Sequence, residues 1–164
     1  FWDYVLWMII PLISETEYSS LFSGSLVMAS SIMPFAIFGF FGGMLSDKLG
    51  RKPIILLSLI LSAVSIFLFS ITANAYLSMM LAFLASTGFA MLYPVAGALV
   101  TEIIPRNTRG LISGWEVMMY NFAGVFAPLV SGFLGSNYFR LPLIYTAFLT
   151  AVSLIVVAIF VKEK

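Results

Sequence analysis

The sequence of 164 residues contains no cysteine and no histidine, and only 9% of its residues are charged. The lack of cysteine excludes disulfide bonds and thiolate chemistry, and the lack of histidine removes the commonest metal ligand and the usual general base. The net charge of +1 does not favour a partner as acidic as nucleic acid. Because no catalytic motif, phosphate-binding glycine loop or metal cluster is recognisable either, we expect no enzyme and no cofactor.

What the chain has instead is apolar surface, because 62% of its residues are hydrophobic. Soluble domains contain about 45–50% apolar and about 25% charged residues, and a compact chain of this size cannot bury so large an excess. The composition therefore predicts an integral membrane protein that is surrounded by the lipid bilayer.

Long uncharged stretches divide the chain into helices, since a membrane-spanning helix needs about 20 mostly apolar residues. Residues 18–46 and 141–161 are each long enough for one span, and residues 53–101 are long enough for two. The first helix is too short to cross about 30 Å of hydrocarbon, so we expect its beginning to be missing. The fold class is all-α, with residues 1–164 forming one bundle of six transmembrane helices. The predicted helices cover 1–13, 19–46, 53–73, 76–103, 109–135 and 140–161.

The basic residues predict the orientation of the bundle, because lysine and arginine are enriched in cytoplasmic loops. Seven of the eight fall on one side of the membrane, whereas Arg140 lies on the other side with Glu15 and Glu17. Both ends of the chain are therefore predicted to be cytoplasmic. The seven residues are Lys48, Arg51, Lys52, Arg106, Arg109, Lys162 and Lys164.

Two connections between helices resemble the motifs of a transporter family. The run from Gly43 to Lys52, GMLSDKLGRK, fills every specified position of the G-x-L-x-D-(R/K)-x-G-R-(R/K) motif of the major facilitator superfamily. The run from Glu102 to Gly110, EIIPRNTRG, is similar to the E-x-x-P-x-x-x-R-G motif of sugar and metabolite carriers in that superfamily. The resemblance implies one six-helix half of a carrier that works by alternating access. The opening residues, with Asp3, resemble the first helix of proton-coupled carriers and favour the N-terminal half.

The resemblance also implies that charged pairs at these two connections act as a gate. Glycines permit close backbone approach and unusual dihedral angles, and Asp47 is placed to interact with a helix N-terminus. Arg51 and Arg109 are predicted to pair with Asp47 or Glu102 and to latch the cytoplasmic side in the outward-open state. The alternative is that the basic residues only determine topology. The predicted gating residues are Gly43, Asp47, Lys48, Gly50, Arg51, Lys52, Glu102 and Arg109.

Polar residues within the spans indicate the transport site, because such groups are costly inside a bilayer. Counted along the helix rise, Asp3, Tyr93 and Asn121 lie near the middle of the membrane. Asp3 is the predicted proton-coupling residue, since a medium of low dielectric constant favours the protonated form of a carboxylic acid; the alternative is a solvated helix end. Glu116 is a second proton-coupling candidate, although pairing with Arg109 is the favoured role. Tyr93 and Asn121 are predicted to bind substrate, or alternatively to join helices.

Small residues form two helical pairs and surround one proline. Gly39 with Gly43 and Gly110 with Gly114 form G-x-x-x-G pairs, for which packing within the bundle is favoured over dimerisation. Residues 123–132, AGVFAPLVSG, resemble the G-x-x-x-G-P-x-x-G-G motif of drug antiporters, but three of its glycines are replaced. The replacements weaken the resemblance to antiporters.

These features predict a secondary transporter of the plasma membrane that moves a small solute together with protons. The favoured function is symport of a sugar or organic metabolite, with the other six-helix half of the same chain as partner. The alternatives are a drug or metabolite antiporter, and a non-transporting receptor or scaffold with the same fold.

Overall fold

The computed structural model describes residues 2–16 and 21–161. Glu17, Lys162 and Lys164, on which the predicted orientation partly depends, lie outside these residues. A single turn of 3-10 helix, Arg106–Thr108, precedes the fifth α-helix. The α-helices are α1 Trp2–Thr16, α2 Leu21–Leu49, α3 Arg51–Ile71, α4 Ala75–Ile103, α5 Arg109–Gly135 and α6 Leu141–Phe160.

Five of these helices, α2 to α6, are long and apolar enough to cross a membrane, and α1 is a shorter apolar helix. The predicted all-α fold is therefore confirmed, and five of the six predicted spans meet the length and composition that a membrane-spanning helix needs. Every predicted boundary that can be compared lies within about three residues of the observed one. The longest extensions are at the ends of α1 and α2, and α2 continues to Leu49 because Gly50 alone separates it from α3.

The centre of the bundle is α4, which packs along both α2 and α3, and α3 in turn packs along α6. Two glycines permit this close approach. A Cβ atom on Gly42 of α2 would lie 2.6 Å from the Cα atom of Met91 in α4, and one on Gly88 of α4 would overlap Ser62 of α3. Any side chain at these two positions would force the helices apart.

Trp2 attaches the beginning of α1 to this core. Its side chain is buried, and its indole Nε1 donates a hydrogen bond of 3.1 Å to Ser86 Oγ in the middle of α4. The ring packs edge-on against Phe69 and stacks on Phe89. Because the buried indole N–H has an acceptor, Trp2 contributes apolar burial without an unsatisfied donor.

The least buried of the five long helices is α5, in which only Ala127 and Ser131 are buried. Its inner face is made of small residues and rests on α1. A Cβ atom on Gly124 would lie 2.9 Å from the hydroxyl oxygen of Tyr4, and one on Gly132 would lie 3.5 Å from Met8 Cε. The small residues around Pro128 therefore pack α5 against α1.

The glycines of the G-x-x-x-G pairs mostly lack the close helix contacts that the inner face of α5 makes. Among the described residues, no atom of a neighbouring helix lies within 4 Å of a Cβ built on Gly110, Gly114 or Gly43. Gly39 approaches α4, where its Cβ would lie 3.7 Å from the carbonyl oxygen of Ala90. The predicted packing within the bundle is thus found for Gly39, and it is not found for the other three glycines among the described residues.

The two ends of the bundle differ in their charged residues. One end contains the α3–α4 turn and the α5–α6 connection. There Asn74 Oδ1 caps α4 by accepting hydrogen bonds from the N–H groups of Tyr76 and Leu77. The other end is formed by the α2–α3 and α4–α5 connections, which carry the two transporter motifs, and is called the signature end below. It carries Asp47, Lys48, Arg51, Lys52, Glu102, Arg106 and Arg109.

Candidate functional site

A one-residue connection between α2 and α3 builds the candidate gate. Gly50 has φ 95° and ψ 158°, in the left-handed half of dihedral space where a Cβ atom is unfavourable. Its N–H still donates to the carbonyl oxygen of Ser46 at 3.0 Å, so the last turn of α2 closes before the chain reverses. The reversal brings Asp47, in the last turn of α2, next to Arg51, the first residue of α3. Of the two glycines predicted to need unusual dihedral angles, Gly50 is the one that has them.

Arg51 contacts three neighbouring side chains at this connection. Its Nη1 lies 2.9 Å from Asp47 Oδ1 and donates to Ser46 Oγ at 2.9 Å. Its Nη2 and Nε both donate to Glu102 Oε1 of α4, at 2.7 and 3.2 Å. Arg51 and its three partners, the Arg51 cluster below, join the ends of α2, α3 and α4. The predicted pairing of Arg51 with Asp47 or Glu102 is therefore found, and it involves both carboxylates.

The exposure of the Arg51 cluster determines how strongly it holds. The side chain of Arg51 is 21% exposed, whereas those of Asp47 and Glu102 are 65% and 54% exposed. Ion pairs as exposed as these contribute little individually, because water screens them. Because Arg51 donates to side chains of both α2 and α4, the cluster is stronger than an isolated ion pair. It can still break when the ends of these helices separate.

Arg109 does not join the Arg51 cluster. Its Nη2 donates to the backbone carbonyl oxygen of Thr101 at 3.0 Å. This carbonyl belongs to the last turn of α4, where backbone oxygens lack partners in their own helix and the helix dipole is negative. The guanidinium of Arg109 thus satisfies a helix end, and the predicted pairing with Asp47 or Glu102 is not found in the part of the chain that the structure describes.

The two lysines of the motif also have different surroundings. Lys48 is exposed in the last turn of α2. Lys52 Nζ donates to the backbone carbonyl oxygen of Ala158 in α6, at 3.0 Å. Lys52 therefore contacts α6, whereas the preceding residue, Arg51, contacts α2 and α4.

Asp3 lies in a separate recess, on the exposed side of α1. The recess has a volume of about 290 Å³ and is formed by α1, α2 and α5. Aromatic and sulfur-containing side chains make up much of its wall, and Asp3 supplies its carboxylate. Tyr120 on the wall also packs on Tyr4, with ring centroids 5.6 Å apart. The lining residues are Asp3, Leu6, Trp7, Met28, Ser31, Ile32, Phe35 and Tyr120.

The two predicted substrate residues lie elsewhere. Among the residues that the structure describes, Tyr120 lines the Asp3 recess and neither Tyr93 nor Asn121 does. Tyr93 is 70% exposed on α4. Asn121 Nδ2 donates to the carbonyl oxygen of Val117 at 2.8 Å, and its side chain lines an open groove of about 490 Å³ on α5. The shared depth of the three polar residues does not bring them together in the described part of the bundle.

Glu116 is exposed on α5, two helical turns after Arg109. Within the described ranges, 2–16 and 21–161, the favoured pairing of Glu116 with Arg109 is not found. The reason is that the Arg109 side chain is directed towards the end of α4 instead of along α5. A role for Glu116 in proton coupling stays a prediction.

Sequence reasoning missed Ser46 and Tyr120. Ser46 occupies an unspecified position of the motif, and its hydroxyl group becomes significant only because Gly50 turns Arg51 back towards α2. Tyr120 lies one helical turn after Glu116 and one turn before Gly124. That spacing places a polar aromatic residue near the inner face of α5 and is the signal that indicates its position.

Comparison with known proteins assigns the chain to a family. Quinolone resistance protein NorA of Staphylococcus aureus is 27% identical over 138 residues, which cover 84% of this chain and 36% of that protein. A Na⁺, Li⁺, K⁺/H⁺ antiporter of Planococcus maritimus is 26% identical over an alignment of 166 positions, which includes 96% of this chain and 39% of that protein. The chain thus spans little more than a third of the length of these relatives. The family model described as Major Facilitator Superfamily matches residues 2–164, so the chain belongs to this superfamily of transporters, which are not enzymes.

Proposed function

We propose that the chain forms one half of a secondary active transporter that moves a small solute across the membrane by alternating access. The observation that carries this proposal is the Arg51 cluster, which ties three helix ends together through partly exposed ion pairs. A gate must open in every cycle, so its two states have to differ by only a few kcal/mol. Exposed pairs of this kind suit that requirement better than a fully buried network.

The second half of the transporter is the proposed partner of the outer face of α5. Gly110 and Gly114 present bare backbone there, and the groove around Asn121 continues the same face. Lipid tails adapt to side chains of any size, whereas a second helix can approach closely only where side chains are small. The relatives are also long enough to supply a second bundle, since this chain covers 36% of one and 39% of the other.

Asp3 is the proposed site of proton binding. Its carboxylate is open to the recess, and the surrounding wall is mainly apolar, which favours the protonated form. Such a group can take up a proton on one side and release it when the recess opens to the other side. The signature end is proposed to face the cytoplasm of a plasma membrane, because five described basic residues are found there and Arg140 alone lies at the opposite end of the described part.

Exchange of an organic solute against protons is the form of transport that we propose first. One relative is named for exchange of cations against protons, and the other for resistance to quinolones, which are aromatic organic compounds. Aromatic side chains of Trp7, Phe35 and Tyr120 line the Asp3 recess and suit such a solute. Proton-coupled symport of a sugar or metabolite is the second candidate, and the Glu102 to Gly110 run that resembles sugar carriers favours it.

Reversing a pH gradient separates the two candidates. The full-length protein is reconstituted in liposomes, and uptake of a fluorescent quinolone and of radiolabelled sugars is measured with the interior either more acidic or more alkaline than the outside. Antiport predicts accumulation in acidic liposomes, because protons leave as solute enters, whereas symport predicts accumulation in alkaline ones. Asp3→Asn is expected to abolish the accumulation. Solute binding without accumulation under either gradient would contradict transport and indicate a receptor.

A further inference from the structure

Two further charged contacts lie at opposite ends of the α3–α6 pair. The helices run antiparallel, since α3 starts at the signature end and α6 finishes there. Lys52, the second residue of α3, donates its Nζ to the carbonyl oxygen of Ala158 in the last turn of α6. Arg140, directly before α6, donates its Nη1 to the carbonyl oxygen of Ser70 in the last turn of α3, at 3.1 Å. Each helix therefore provides a cation for the C-terminal turn of the other.

Both contacts supply donors to backbone carbonyl oxygens at helix ends, which would otherwise lack a partner in an apolar medium. The last carbonyl oxygens of a helix have no partner in that helix, and the negative end of its dipole attracts a cation. Arg140 is only 4% exposed, and its guanidinium also lies 5.6 Å from the centre of the Phe139 ring. A buried charge with a carbonyl oxygen and an aromatic face as partners avoids much of the cost of desolvation.

The direction of the side chains separates Lys52 from the Arg51 cluster. Successive residues of an α-helix point about 100° apart, so neighbours in sequence contact different helices. Arg51 contacts Asp47 and Glu102, whereas Lys52 contacts the end of α6. Arg51 and Lys52 therefore have different partners, so the Arg51 cluster can break without loss of the contact between Lys52 and α6.

We propose that Lys52 and Arg140 form a reciprocal clamp that holds α3 and α6 together as one rigid pair throughout the transport cycle. In this arrangement Lys52 is a positioning residue for α6 and takes no part in opening the gate. The clamp holds both ends of the contact between α3 and α6, within which Ile55 and Leu59 of α3 belong to an apolar cluster that includes Val157 of α6. Arg140 accordingly anchors the bundle at the end where basic residues are otherwise rare.

The clamp is tested in the full-length transporter, in a background free of cysteine, by spin labels on Leu57→Cys of α3 and Ile155→Cys of α6. Both positions are exposed, at 57% and 58%, so the labels do not disturb the core. The distance between the labels is expected to have a narrow distribution that is the same in both states of the cycle. Lys52→Met should broaden it, because the aliphatic stem remains while the donor is lost. Lys52→Arg should restore the narrow distribution.

The matched control is Lys48→Met, which removes the same charge from an exposed position four residues earlier in the same motif. It should leave the distance distribution unchanged. Arg140→Met is expected to lower the yield of folded protein, so the Lys52 variants carry the test. The proposal is overturned if Lys52→Met leaves the α3–α6 distance distribution narrow, whether or not it exposes the signature end. Equal broadening by Lys48→Met would overturn it as well.

Discussion

Replacing Glu102 with glutamine is the most direct test of the proposed gate. The change preserves the shape of the side chain and an oxygen acceptor, but it removes the negative charge that Arg51 contacts through two nitrogens. The ion pair between Arg51 and Asp47 remains. If the Arg51 cluster stabilises the state in which the signature end is closed, Glu102→Gln should shift the equilibrium towards the open state.

The size of the shift follows from the exposure of the pair. Exposed ion pairs contribute about 0.2–1 kcal/mol, and hydrogen bonds to charged groups contribute about 1.5–3 kcal/mol where they are shielded from water. Because the Glu102 side chain is 54% exposed and that of Arg51 is 21% exposed, the lower range applies and we expect about 1 kcal/mol. That energy corresponds to roughly a fivefold change in the ratio of open to closed states. Arg51→Gln removes both pairs and should change the ratio by about 5- to 30-fold.

Labelling of a single cysteine measures this ratio. Leu111→Cys lies one turn into α5 from the signature end and is 66% exposed, and the chain contains no cysteine of its own. In the full-length protein, made free of cysteine, an impermeant maleimide should react about fivefold faster with the Glu102→Gln variant. High salt should reduce the difference, because exposed ion pairs are screened.

The matched control is Lys48→Gln, which changes the charge of the same connection by one unit at an exposed position. Its labelling rate should equal that of the parent protein. The proposed gate would be refuted if Glu102→Gln and Arg51→Gln both labelled at the parent rate. It would also fail if Lys48→Gln accelerated labelling as much as they do, since the effect would then depend on charge alone.

Three further predictions concern coupling and packing. Asp3→Asn should abolish solute accumulation driven by a pH gradient while leaving equilibrium solute binding measurable, and unchanged accumulation would exclude Asp3 as the proton site. Gly88→Val should lower the thermal unfolding midpoint, since overlap with α3 costs about 1–3 kcal/mol, whereas Gly97→Val has open space and should not. Trp2→Phe should destabilise the protein by about 1–3 kcal/mol by leaving Ser86 without its donor, and a double-mutant cycle with Ser86→Ala should show an effect smaller than the sum.

The helices could be predicted because charge and hydrophobicity decide where a chain leaves a membrane. Residues 53–101 contain no charged residue, so their length alone indicates two helices, and the predicted break at 74–75 contains Asn74, which the structure shows as the cap of α4. The ends of α5 were predicted correctly because Arg109 and Gly135 mark them. Burial of α1 through Trp2 was not predictable, since it depends on the position of Ser86 in another helix.

The partners of charged side chains were harder to predict than the helices. Charge complementarity predicts that Arg109 pairs with a carboxylate. In the structure Arg109 instead donates to the backbone carbonyl oxygen of Thr101. Every helix ends with unpaired backbone acceptors whatever its sequence, so the sequence does not indicate which acceptor a side chain will contact. The expected pairing of Glu116 fails for the same reason, because its expected partner Arg109 contacts the end of α4.

The adjacent residues Arg51 and Lys52 show why a motif does not by itself define a functional unit. A motif groups residues by their order in the chain, whereas a helix directs consecutive side chains about 100° apart. Here the positive φ angle of Gly50 ends α2 and begins α3 within one residue, so Arg51 faces Asp47 and Glu102 while Lys52 reaches α6. The two cations therefore respond to different movements: separation of α2 and α4 from α3 breaks the contacts of Arg51, and separation of α6 from α3 breaks that of Lys52. If the first movement opens the gate and the second does not occur, loss of Arg51 should change the populations of the two states, and loss of Lys52 should change the rigidity of each.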